Sequence, residues 1–589
     1  MPKIEVNEEA FYTLAGRRWN LTEGGEAERA SFEEALTCAK AELDSDPQAD
    51  NAGLAPAERI LKIELNDTNR PDLWSTAGCA RQLRVYNDGK RPEYGFFSRQ
   101  GSVRKAGRKV IVEQSVQKAR PFLAGFVAAG KAISDAALRD MIQTQEKLAW
   151  NFGRKRRTIS MGLYRIAIIQ WPIIYKAVDP DAVSFVPLQW DGPLTLREIL
   201  KQHPKGKEYG AILEHEPLHP LLTDSKGAIL SYPPIINSAD LGAVQVGDTD
   251  LFVELTGTDL DSVTLAASIM ACDLADQGYT IEPVEVEYQY DTPLGKNVVT
   301  PWYFQEPVFC SLARVEKFLG EELDAAECVR ALNKMGCKAE AIRAVERGET
   351  EEKDGVLLYP PEYRNDFLHA ADVAEDVMIG RGLANFKPAR PRDFTVGRLT
   401  PITLFSRRVK ELLAGLGYQE MIYNYLGSKK DFIDNMRSRG EKIIRIANPM
   451  TENYEYVRDS VLSSLLASES VSGHAAYPHR IFEVGKVAFR DDEENYGAVT
   501  SQFAGFLHAG ADANFNTIAG QLQSLFYYLD REYTVAESTD PRFIPGRAAS
   551  VLYQGKAVGV FGEIHPEALE NWGITVPCTA AEIDVSGLL

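Results

Sequence analysis

The sequence predicts a multidomain α+β protein with four parts. Its 589 residues exceed one hydrophobic core, since domains usually hold about 100 to 200 residues. Apolar residues make up 44% of the chain and charged residues 25%, as in ordinary globular proteins. Strand-like and helix-like segments are mixed in every part, which is typical of the α+β class.

Several classes of protein are excluded by composition. No apolar run approaches the roughly 20 residues that span a bilayer, and the first residues lack the basic and apolar regions of an export signal. The seven cysteines are odd in number and contain no C-x-x-C pair, which argues against a disulfide framework and a zinc knuckle. We expect a cytoplasmic protein with reduced thiols and no membrane association.

Charge is unevenly spread along the chain. The net charge of -19 argues against a surface that tracks nucleic acid throughout. Residues 101–160 nevertheless carry thirteen Lys or Arg against four Asp or Glu and end in four consecutive cations, Arg154 to Arg157. A solvated helix end, a subunit contact and a nucleic-acid contact all remain open for this segment.

Residues 1–99 form the first predicted part, an N-terminal α/β module. It combines two strands, PKIEV and RILKIEL, with helical patterns at 8–16 and 30–43 and a polar loop. It ends in a segment that resembles residues 355–382, because both read as a strand, a polar turn, Arg-x-Asp and a helix.

The two copies of this segment differ in their acidic residues. Aligning Arg70-Pro71-Asp72 with Arg364-Asn365-Asp366 places Gly78, Arg81 and Gln82 opposite Asp372, Glu375 and Asp376. Arg-x-Asp occurs in both copies, so we interpret it as architecture: a turn clamp whose aspartate also caps the next helix.

The acidic trio occurs in the second copy only. Its i, i+3, i+4 spacing predicts three carboxylates on one helix face, within reach of a common cation. Carboxylate oxygens suit Mg2+ better than transition metals. A solvated acidic face, a basic partner and a Mg2+ site are the open interpretations.

Residues 100–290 predict an α+β domain with strands at VIVEQ, PFLAGFVAA, IIYKAV and SFVPL and a helix at 135–152. A hairpin through Ser225-Lys226-Gly227 precedes an apolar strand at 251–259. Alternation places Glu254 and Thr256 on one face of that strand. Glu254 is therefore either an edge residue in water or a polar contact in a pocket.

His215-Glu216-Pro217-Leu218-His219 satisfies H-E-x-x-H, the zinc hydrolase motif. The motif needs a continuous helix, and the proline inside it together with Pro220 argues against one. We therefore do not expect a zinc peptidase.

Two further parts complete the chain. Residues 300–390 predict a small winged-helix-like module with two short helices, a strand at KAEAIRA, a strand at GVLLY and the acidic helix. Residues 391–589 predict a domain with an antiparallel sheet. Its expected helices are 403–415 and 461–468, and its expected strands are QEMIYNYLG, EKIIRIAN, HRIFEVGKVAFR, SQFAGFLHAG, AASVLYQGKAVGVFGEI and AAEIDVS.

Several blocks in order resemble one known family over nearly the whole chain. They are NRPDLWSTAG, GRKRRTISMG, ILSYPPIINS with LFVELTGTD, PPEYRNDFLHAADVAEDV, IANPMTENYEYVRDSVLSSLL, HRIFEVGKVAF, IPGRAA and GVFGEIHPEAL. The chain resembles the β subunits of phenylalanyl-tRNA synthetases of the archaeal and eukaryotic type. The resemblance implies an α2β2 ligase that charges tRNA(Phe) with phenylalanine, with ATP and phenylalanine bound by the α subunit.

The resemblance also implies site residues. It assigns hydrolytic editing of tyrosyl-tRNA to residues 100–290, with a pocket of Leu222, Ser231, Glu254 and Thr256, although archaeal relatives often carry aspartate at the position of Glu254. It assigns Mg2+ to Asp366, Asp372, Glu375 and Asp376.

The same resemblance gives residues 391–589 a class II synthetase fold without catalytic motifs. Arg480-Ile481-Phe482-Glu483 reads as a relic of the ATP-binding Arg-x-Glu, and the glycine-rich segment with an ATP-binding arginine is missing around Arg547. No aminoacylation site is expected in this chain. The alternative interpretation is a tRNA-binding or assembly scaffold descended from a synthetase.

Overall fold

The computed structural model describes residues 2–343, 354–392 and 395–589. They form two compact units, residues 1–389 and 390–589. Both units combine sheets with helices, which confirms a multidomain α+β protein. Within the described ranges, no helix is both long and apolar enough to cross a membrane.

The first hundred residues form a three-stranded antiparallel sheet covered by helices. In spatial order its strands are Lys3–Asn7, Ile60–Leu65 and Ala41–Leu43. The α-helices are Glu8–Ala15, Gly25–Leu36, Pro47–Asp50 and Thr76–Asp88. The predicted helix over 30–43 is wrong at its end, because Lys40 turns left-handed at φ 49° and Ala41–Leu43 pair with the strand Ile60–Leu65 instead.

The two Arg-x-Asp segments have the same geometry, which confirms the turn clamp. Arg70 donates from Nε and Nη2 to the two carboxylate oxygens of Asp72, both at 2.8 Å. Arg364 does the same to Asp366 at 2.9 and 2.6 Å. The helix-capping role is wrong, because Ser75 and His369 cap the two helices.

A large mixed sheet dominates the next part of the first unit. In spatial order its strands are Ile236–Asn237, Ile229–Tyr232, His219–Thr223, Ile173–Val178, Arg108–Val112, Thr280–Tyr288, Phe122–Ala129, Leu251–Gly257 and Ile159–Arg165, and Asn297–Thr300 also pairs with Thr280–Tyr288. A separate pair is formed by Ser184–Phe185 and Leu194–Thr195. The α-helices are Asp135–Lys147, which continues as a π-helical turn over Leu148–Phe152, then Leu196–Gln202, Pro204–Tyr209 and Leu260–Asp276.

The strand Leu251–Gly257 lies inside this sheet and not at its edge. It pairs on both sides, with Phe122–Ala129 and with Ile159–Arg165, and all seven of its residues are buried. The interpretation of Glu254 as an edge residue in water is therefore wrong. The predicted hairpin through Gly227 is confirmed, with Leu222 opposite Ser231.

The H-E-x-x-H residues do not form a helix, as expected. His219 opens the strand His219–Thr223, and the residues from His215 to Leu218 lie in a turn. The His219 ring bonds through Nδ1 to the Tyr232 hydroxyl at 2.5 Å. His219 is therefore a satisfied core histidine.

Among the described residues, the last part of the first unit is a three-stranded antiparallel sheet with three α-helices. The strands, in spatial order, are Val308–Ser311, Gly355–Tyr359 and Lys338–Ile342. The helices are Leu312–Leu319, Ala325–Lys334 and the acidic helix Ala370–Arg381. The final residue of the predicted strand KAEAIRA lies outside the described residues.

The second unit has a seven-stranded sheet. Its spatial order is Gln419–Glu420, His479–Arg490, Ala498–Ala509, Cys578–Asp584, Lys556–Ile564, Phe543–Tyr553 and Thr534–Glu537, and every pair except the first is antiparallel. A small sheet contains Leu426–Gly427, Tyr456–Val457 and Ile444–Arg445. The helices are Pro401–Gly415, Leu462–Val471, Phe515–Tyr528 and Pro566–Trp572.

Two predicted strands of this unit shrink to short pieces. The segment 419–427 leaves the large sheet after Met421, whose backbone N–H bonds to the Phe482 carbonyl at 2.7 Å, and Leu426–Gly427 pair with Tyr456–Val457 instead. The other segment contributes only Ile444–Arg445. Both losses come from pairing between distant segments, which local composition does not encode.

All seven cysteines are buried and none forms a disulfide. Burial raises the pKa of the Cys310 and Cys328 thiols to about 11. This agrees with the expectation of reduced thiols.

Candidate functional site

A cavity of about 350 Å3 lies against the large sheet of the first unit. Both Ser231 and Glu254 line it, from different strands of the sheet. Other walls come from the helix Asp135–Lys147 and from the loop that follows Ser231. We call this space the editing-side cavity.

Glu254 is the buried charge of the editing-side cavity. Glu254 is only 2% exposed to solvent. The Tyr164 hydroxyl is hydrogen-bonded to Glu254 Oε2 at 2.9 Å and to Ser231 Oγ at 2.8 Å. Among the described residues, no donor meets Glu254 Oε1 with hydrogen-bond geometry, although that atom is buried and the Thr256 hydroxyl lies near the carboxyl. A buried carboxylate oxygen without a donor is costly, so this oxygen is available to a ligand hydroxyl.

Burial shifts the acidity of this carboxyl. Removal from water raises the pKa of Glu254 to about 7, although the Tyr164 hydrogen bond and the charge of Arg120 oppose the rise. Half of the carboxyl groups are therefore protonated near neutral pH. Such a group can accept or donate one hydrogen bond close to physiological pH.

A glycine makes room for the Tyr164–Glu254 contact. Gly162 lies opposite Glu254 in the neighbouring strand. A Cβ on this residue would lie 2.1 Å from the Tyr164 hydroxyl and 2.7 Å from Glu254 Oε2, which no real Cβ tolerates. The strand Ile159–Arg165 therefore needs glycine at this position.

Leu222 and Thr256 lie beside the editing-side cavity and do not line it. Leu222 is fully buried in the apolar core next to Tyr164 and Phe252. Thr256 accepts from Arg120 Nε at 3.0 Å through Oγ1 and from Arg120 Nη2 at 2.6 Å through its carbonyl. Of the four predicted pocket residues, the structure places two in the wall and two behind it.

Arg120 links this strand to the basic segment. Its guanidinium is 1% exposed, and burial lowers its pKa to about 10. Nη1 donates to the carbonyls of Arg156 and Arg157, each at 3.2 Å, and Nη2 bonds to Ser160 Oγ at 3.1 Å. Thr256 therefore acts through Arg120, as an anchor for the turn that precedes the strand Ile159–Arg165.

Each of the four carboxylates of the predicted Mg2+ site already has a partner within the chain. Arg364 bonds to Asp366 and donates to Asp376 Oδ2 at 2.6 Å. Asp372 accepts from the backbone N–H groups of Leu368 and His369, at 2.8 and 2.7 Å. Lys40 Nζ lies 2.6 Å from Glu375 Oε1.

The expectation that the three carboxylates share one helix face is therefore wrong. Asp376 is buried and Glu375 is exposed, because the helix turns Asp376 toward Arg364 in the core and Glu375 toward solvent. The charge of Arg364 outweighs burial and lowers the pKa of Asp366 to about 2. In the described ranges, no group of three or more His, Cys, Asp or Glu side chains is placed to hold a metal ion. The four side chains together therefore do not fit one ion in this arrangement.

The Arg364–Asp376 contact has a counterpart in the first copy of the repeated segment. Gln82, the counterpart of Asp376, accepts from Arg70 Nη2 at 3.2 Å through Oε1. Both helices thus place an acceptor at the same position to complete the arginine clamp. Asp376 belongs to the architecture, and only Asp372 and Glu375 remain as additions.

In the second unit, Glu483 is already paired. Arg458, which is fully buried, donates to the two carboxylate oxygens of Glu483 at 2.7 and 3.0 Å. Arg547 is bound to Glu563 at 2.7 Å. Both carboxylate oxygens of Glu483 are therefore used by Arg458, and Arg547 is held by Glu563.

Three residues in or behind the wall of the editing-side cavity were missed by sequence reasoning: Tyr164, Gly162 and Arg120. The signal for the first two was the block GRKRRTISMGLYR, where a glycine and a tyrosine interrupt an apolar strand. Arg120 gave no local signal, because its partners lie 36 to 136 residues away.

The raised pKa of Glu254 predicts a pH-dependent stability. Since the folded-state pKa of about 7 exceeds the ordinary value of about 4.3, this group stabilises the fold fully below pH 4, and that contribution is lost as pH rises through 7. Glu254→Gln cannot titrate, so we expect its unfolding midpoint to exceed that of the wild type more at pH 8 than at pH 5. The exposed Glu322 supplies the control Glu322→Gln, and an equal difference at both pH values would contradict the assignment.

Comparison with known families identifies two matching segments. A family model described as "Phenylalanyl tRNA synthetase beta chain CLM domain" matches residues 389–585. Another, described as "tRNA synthetase B5 domain", matches residues 308–383. The matched ranges cover nearly all of the second unit, and the sheet with the acidic helix.

Relatives and a solved structure extend this similarity to the whole chain. A protein of Treponema pallidum subsp. pallidum named phenylalanine-tRNA ligase beta subunit is 46% identical over 622 residues, with all of both chains covered. The protein of that name from Borrelia recurrentis is 44% identical over 589 residues, again with full coverage of both. The crystal structure of an N-terminal fragment of the phenylalanyl-tRNA synthetase beta subunit from Pyrococcus horikoshii is 32% identical, with a TM-score of 0.55, and covers 65% of this chain and 100% of the fragment.

Proposed function

The chain belongs to the family of phenylalanine-tRNA ligase beta subunits, and from this we propose that it has two roles in an α2β2 enzyme. It supports the attachment of phenylalanine to tRNA(Phe) by the α subunit, which binds ATP and phenylalanine. It also hydrolyses tyrosyl-tRNA in the editing-side cavity. Residues 100–290 are the editing domain, and residues 391–589 are the non-catalytic class II core.

The observation that carries the editing role is the unpaired oxygen of Glu254. Tyrosine differs from phenylalanine by one hydroxyl, and an apolar pocket rejects such an isostere only weakly. A second pocket whose buried acceptor lacks a donor binds the phenol and leaves phenylalanine unable to satisfy it. Glu254 Oε1 is such an acceptor.

The hydrolytic step needs a nucleophile that attacks the ester carbonyl. Serine or cysteine would need an adjacent base, and the described residues that line the editing-side cavity include neither histidine nor cysteine. Water is therefore the nucleophile in our proposal. Ser231, next to Tyr164, holds the ester near the polar wall. Deacylation of preformed tyrosyl-tRNA by the purified α2β2 enzyme tests this function.

A scaffold without enzymatic activity is the competing function. It would bind tRNA or assemble with partners, yet no preparation containing it would support phenylalanine-dependent exchange between ATP and pyrophosphate. A ligase subunit supports this exchange as soon as the α chain is present. Co-purification with the α chain, followed by this assay, separates the two.

We also propose that the chain is of the archaeal and eukaryotic type. Support comes from the order of its sequence blocks and from its 32% identity with the archaeal Pyrococcus horikoshii fragment. The two curated relatives named above are bacterial proteins, so the type does not follow from the organism. A solved structure of the α2β2 enzyme, superposed on archaeal and bacterial enzymes, tests it.

Magnesium at the acidic helix is a separate part of the proposal. The resemblance assigns Mg2+ to Asp366, Asp372, Glu375 and Asp376, but Arg364 and Lys40 already neutralise three of these carboxylates. Asp372 and Glu375 are the two that an ion could recruit without opening the buried Arg364 clamp. Water would then complete the coordination, as it usually does for Mg2+ held by one or two carboxylates.

Replacing these two residues tests the ion. In the α2β2 enzyme, Asp372→Asn with Glu375→Gln is expected to remove one tightly bound Mn2+ per β chain, because hard cations need charged oxygen ligands. Phenylalanine charging should change little, since the proposal places the charging site in the α subunit and not at the acidic helix. The exposed Glu322→Gln is the matched control, and Mn2+ binding is counted by electron paramagnetic resonance. An unchanged Mn2+ count in the double variant would rule out this site.

A further inference from the structure

Tyr164 connects two polar residues of the editing-side cavity from behind its wall. Its side chain is fully buried, and its ring packs against Phe252 with the ring centres 6.0 Å apart. The hydroxyl reaches Ser231 Oγ at 2.8 Å and Glu254 Oε2 at 2.9 Å. Ser231 and Glu254 both line the cavity, so one buried hydroxyl joins two groups that a substrate can reach.

The single proton of the Tyr164 hydroxyl gives this chain a direction. A hydroxyl donates only one hydrogen bond, so Tyr164 cannot donate to both neighbours. Hydrogen bonds to an ionised acceptor are roughly twice as strong as neutral ones. Tyr164 therefore donates to ionised Glu254, and the Ser231 hydroxyl donates to Tyr164. The lone pairs of Ser231 Oγ are left for a donor in the cavity, such as a water molecule.

Tyr164 keeps its own proton at physiological pH. Burial, together with the charge of Glu254, raises the pKa of Tyr164 well above its ordinary value. A neutral hydroxyl that accepts on one side and donates on the other can pass a proton along without becoming charged. Gly162 keeps the space for this hydroxyl, since a Cβ there would lie 2.1 Å from it.

The lining of the editing-side cavity contains two carboxylates that could act as a base, Glu146 and Glu254. Water that attacks an ester needs a positioned group to take its proton. Glu146 is exposed, so bulk water solvates it, and no hydrogen bond joins it to Ser231 among the described residues. Glu254 is buried and linked to Ser231 through Tyr164. The geometry therefore favours Glu254 as the base.

We propose that Ser231 and Tyr164 relay a proton from the attacking water to Glu254. The inference rests on the proposed editing function. The water oxygen forms a bond to the ester carbonyl carbon, and the π electrons of the carbonyl move to its oxygen. In the same step the water proton passes to Ser231 Oγ, the Ser231 proton to the Tyr164 oxygen, and the Tyr164 proton to Glu254 Oε2.

The same chain returns the proton when the tetrahedral intermediate collapses. The carbonyl re-forms, and the bond between its carbon and the ribose oxygen breaks with the electron pair on oxygen. The proton passes from Glu254 through Tyr164 and Ser231 to this oxygen, which leaves as a free hydroxyl of the tRNA. The released carboxylic acid gives its proton to water. Glu254 Oε1 is not used by the relay and accepts from the substrate phenol throughout.

Tyr164→Phe in the α2β2 enzyme removes the relay and keeps the ring. Positioned acid-base groups contribute about a hundredfold to ten-thousandfold to a rate, so single-turnover hydrolysis of tyrosyl-tRNA should slow at least about a hundredfold. A tRNA that carries tyrosine through a 3′-amide should bind nearly as tightly as to the wild type, because Glu254 Oε1 remains. Tyr288→Phe is the matched control, since this buried tyrosine of the same sheet bonds to the Leu123 backbone, and it should hydrolyse as the wild type does.

The pH profile separates a relay from a merely structural role. The wild-type rate should rise with pH and level off once Glu254 is ionised, and both Tyr164→Phe and Glu254→Gln should lose this titration. Arg120 and Tyr175 also face the carboxyl. Burial leaves the pKa of Arg120 at about 10 and raises that of Tyr175 well above its ordinary value, so neither titrates between pH 5 and 8. A titration kept by Tyr164→Phe, or lost in Glu146→Gln, would overturn the relay.

Two further measurements do not depend on the folding of Tyr164→Phe. Ser231→Ala interrupts the same chain, so it should slow hydrolysis about as much, and adding Tyr164→Phe should slow it no further, because residues that act as a unit are not additive. In mixtures of H2O and D2O the wild-type rate should fall along a curve, since several protons move together. A straight line for the wild type, or an unchanged rate in Ser231→Ala, would overturn the relay.

These experiments distinguish failure of the relay from failure of editing. No hydrolysis of tyrosyl-tRNA by the wild type would overturn both. Hydrolysis by the wild type at a rate that a folded Tyr164→Phe matches would overturn the relay and leave editing intact. A hundredfold loss in Tyr164→Phe, with analogue binding kept and the titration gone, is the result that the relay predicts.

Discussion

Tyrosyl-tRNA is expected to accumulate when Glu254 is replaced by alanine in the α2β2 enzyme. The replaced carboxylate has one oxygen bonded to Tyr164 and one without a donor, so the phenol of tyrosine loses its acceptor. A hydrogen bond to a charged group contributes about 2 to 3 kcal/mol, which corresponds to a loss of selectivity of roughly 30- to 150-fold. The measurement is the deacylation rate of preformed tyrosyl-tRNA.

Two control measurements accompany this experiment. Phenylalanine charging by Glu254→Ala should equal that of the wild type, because no step of adenylate formation uses the editing-side cavity. Glu254→Gln keeps the volume and should deacylate tyrosyl-tRNA between the rates of the wild type and Glu254→Ala. Equal deacylation by wild type and Glu254→Ala would rule out this role for Glu254.

The chain purified without an α subunit is expected to make no phenylalanyl-adenylate. The sequence around Arg547 lacks the glycine-rich segment with an ATP-binding arginine, and Arg547 is paired with Glu563, so this arginine is not part of a phosphate clamp. The exchange rate is expected to be easily measured when the α chain is present and to be undetectable with the β chain alone. The assay is phenylalanine-dependent exchange of pyrophosphate into ATP.

Adding the α chain to the same preparation should restore this exchange, which shows that the β chain was folded. The wild-type β chain with the α chain is therefore both the positive control and the reference rate. Detectable adenylate synthesis by the β chain alone would contradict the assignment of catalysis to the α subunit.

Long regular elements could be predicted from the sequence. The strand His479–Arg490 follows its predicted bounds, because β-branched and aromatic residues dominate it. The helix predicted over 403–415 spans Pro401–Gly415, and the hairpin through Gly227 was also predicted, since a turn glycine marks it. In these segments, local chemistry and the tertiary fold favour the same structure.

The helix Leu260–Asp276 shows where this approach fails. It is 17 residues long, and twelve of them are buried, so its apolar residues surround the helix and give no single apolar face. Periodicity alone cannot distinguish such a segment from a buried strand. Its position beside the large sheet depends on tertiary packing, which the local sequence does not show.

The candidate site was predictable only in part. Glu254 and Thr256 share a strand, and their common face follows from alternation, but the depth of Glu254 depends on two neighbouring strands that pair with it. The prediction that the acidic helix presents three carboxylates on one face was wrong for the same reason. Spacing places three carboxylates near one another, whereas the direction of Asp376 is set by Arg364, which belongs to the preceding turn.

The central claim is that this chain selects tyrosine over phenylalanine through the editing-side cavity. Single-turnover hydrolysis of preformed tyrosyl-tRNA and phenylalanyl-tRNA by the wild-type α2β2 enzyme tests it most directly. We predict that tyrosyl-tRNA is hydrolysed at least about 30-fold faster, the ratio expected from one hydrogen bond to a charged group. Equal rates for the two substrates, or no hydrolysis of tyrosyl-tRNA, would contradict the claim.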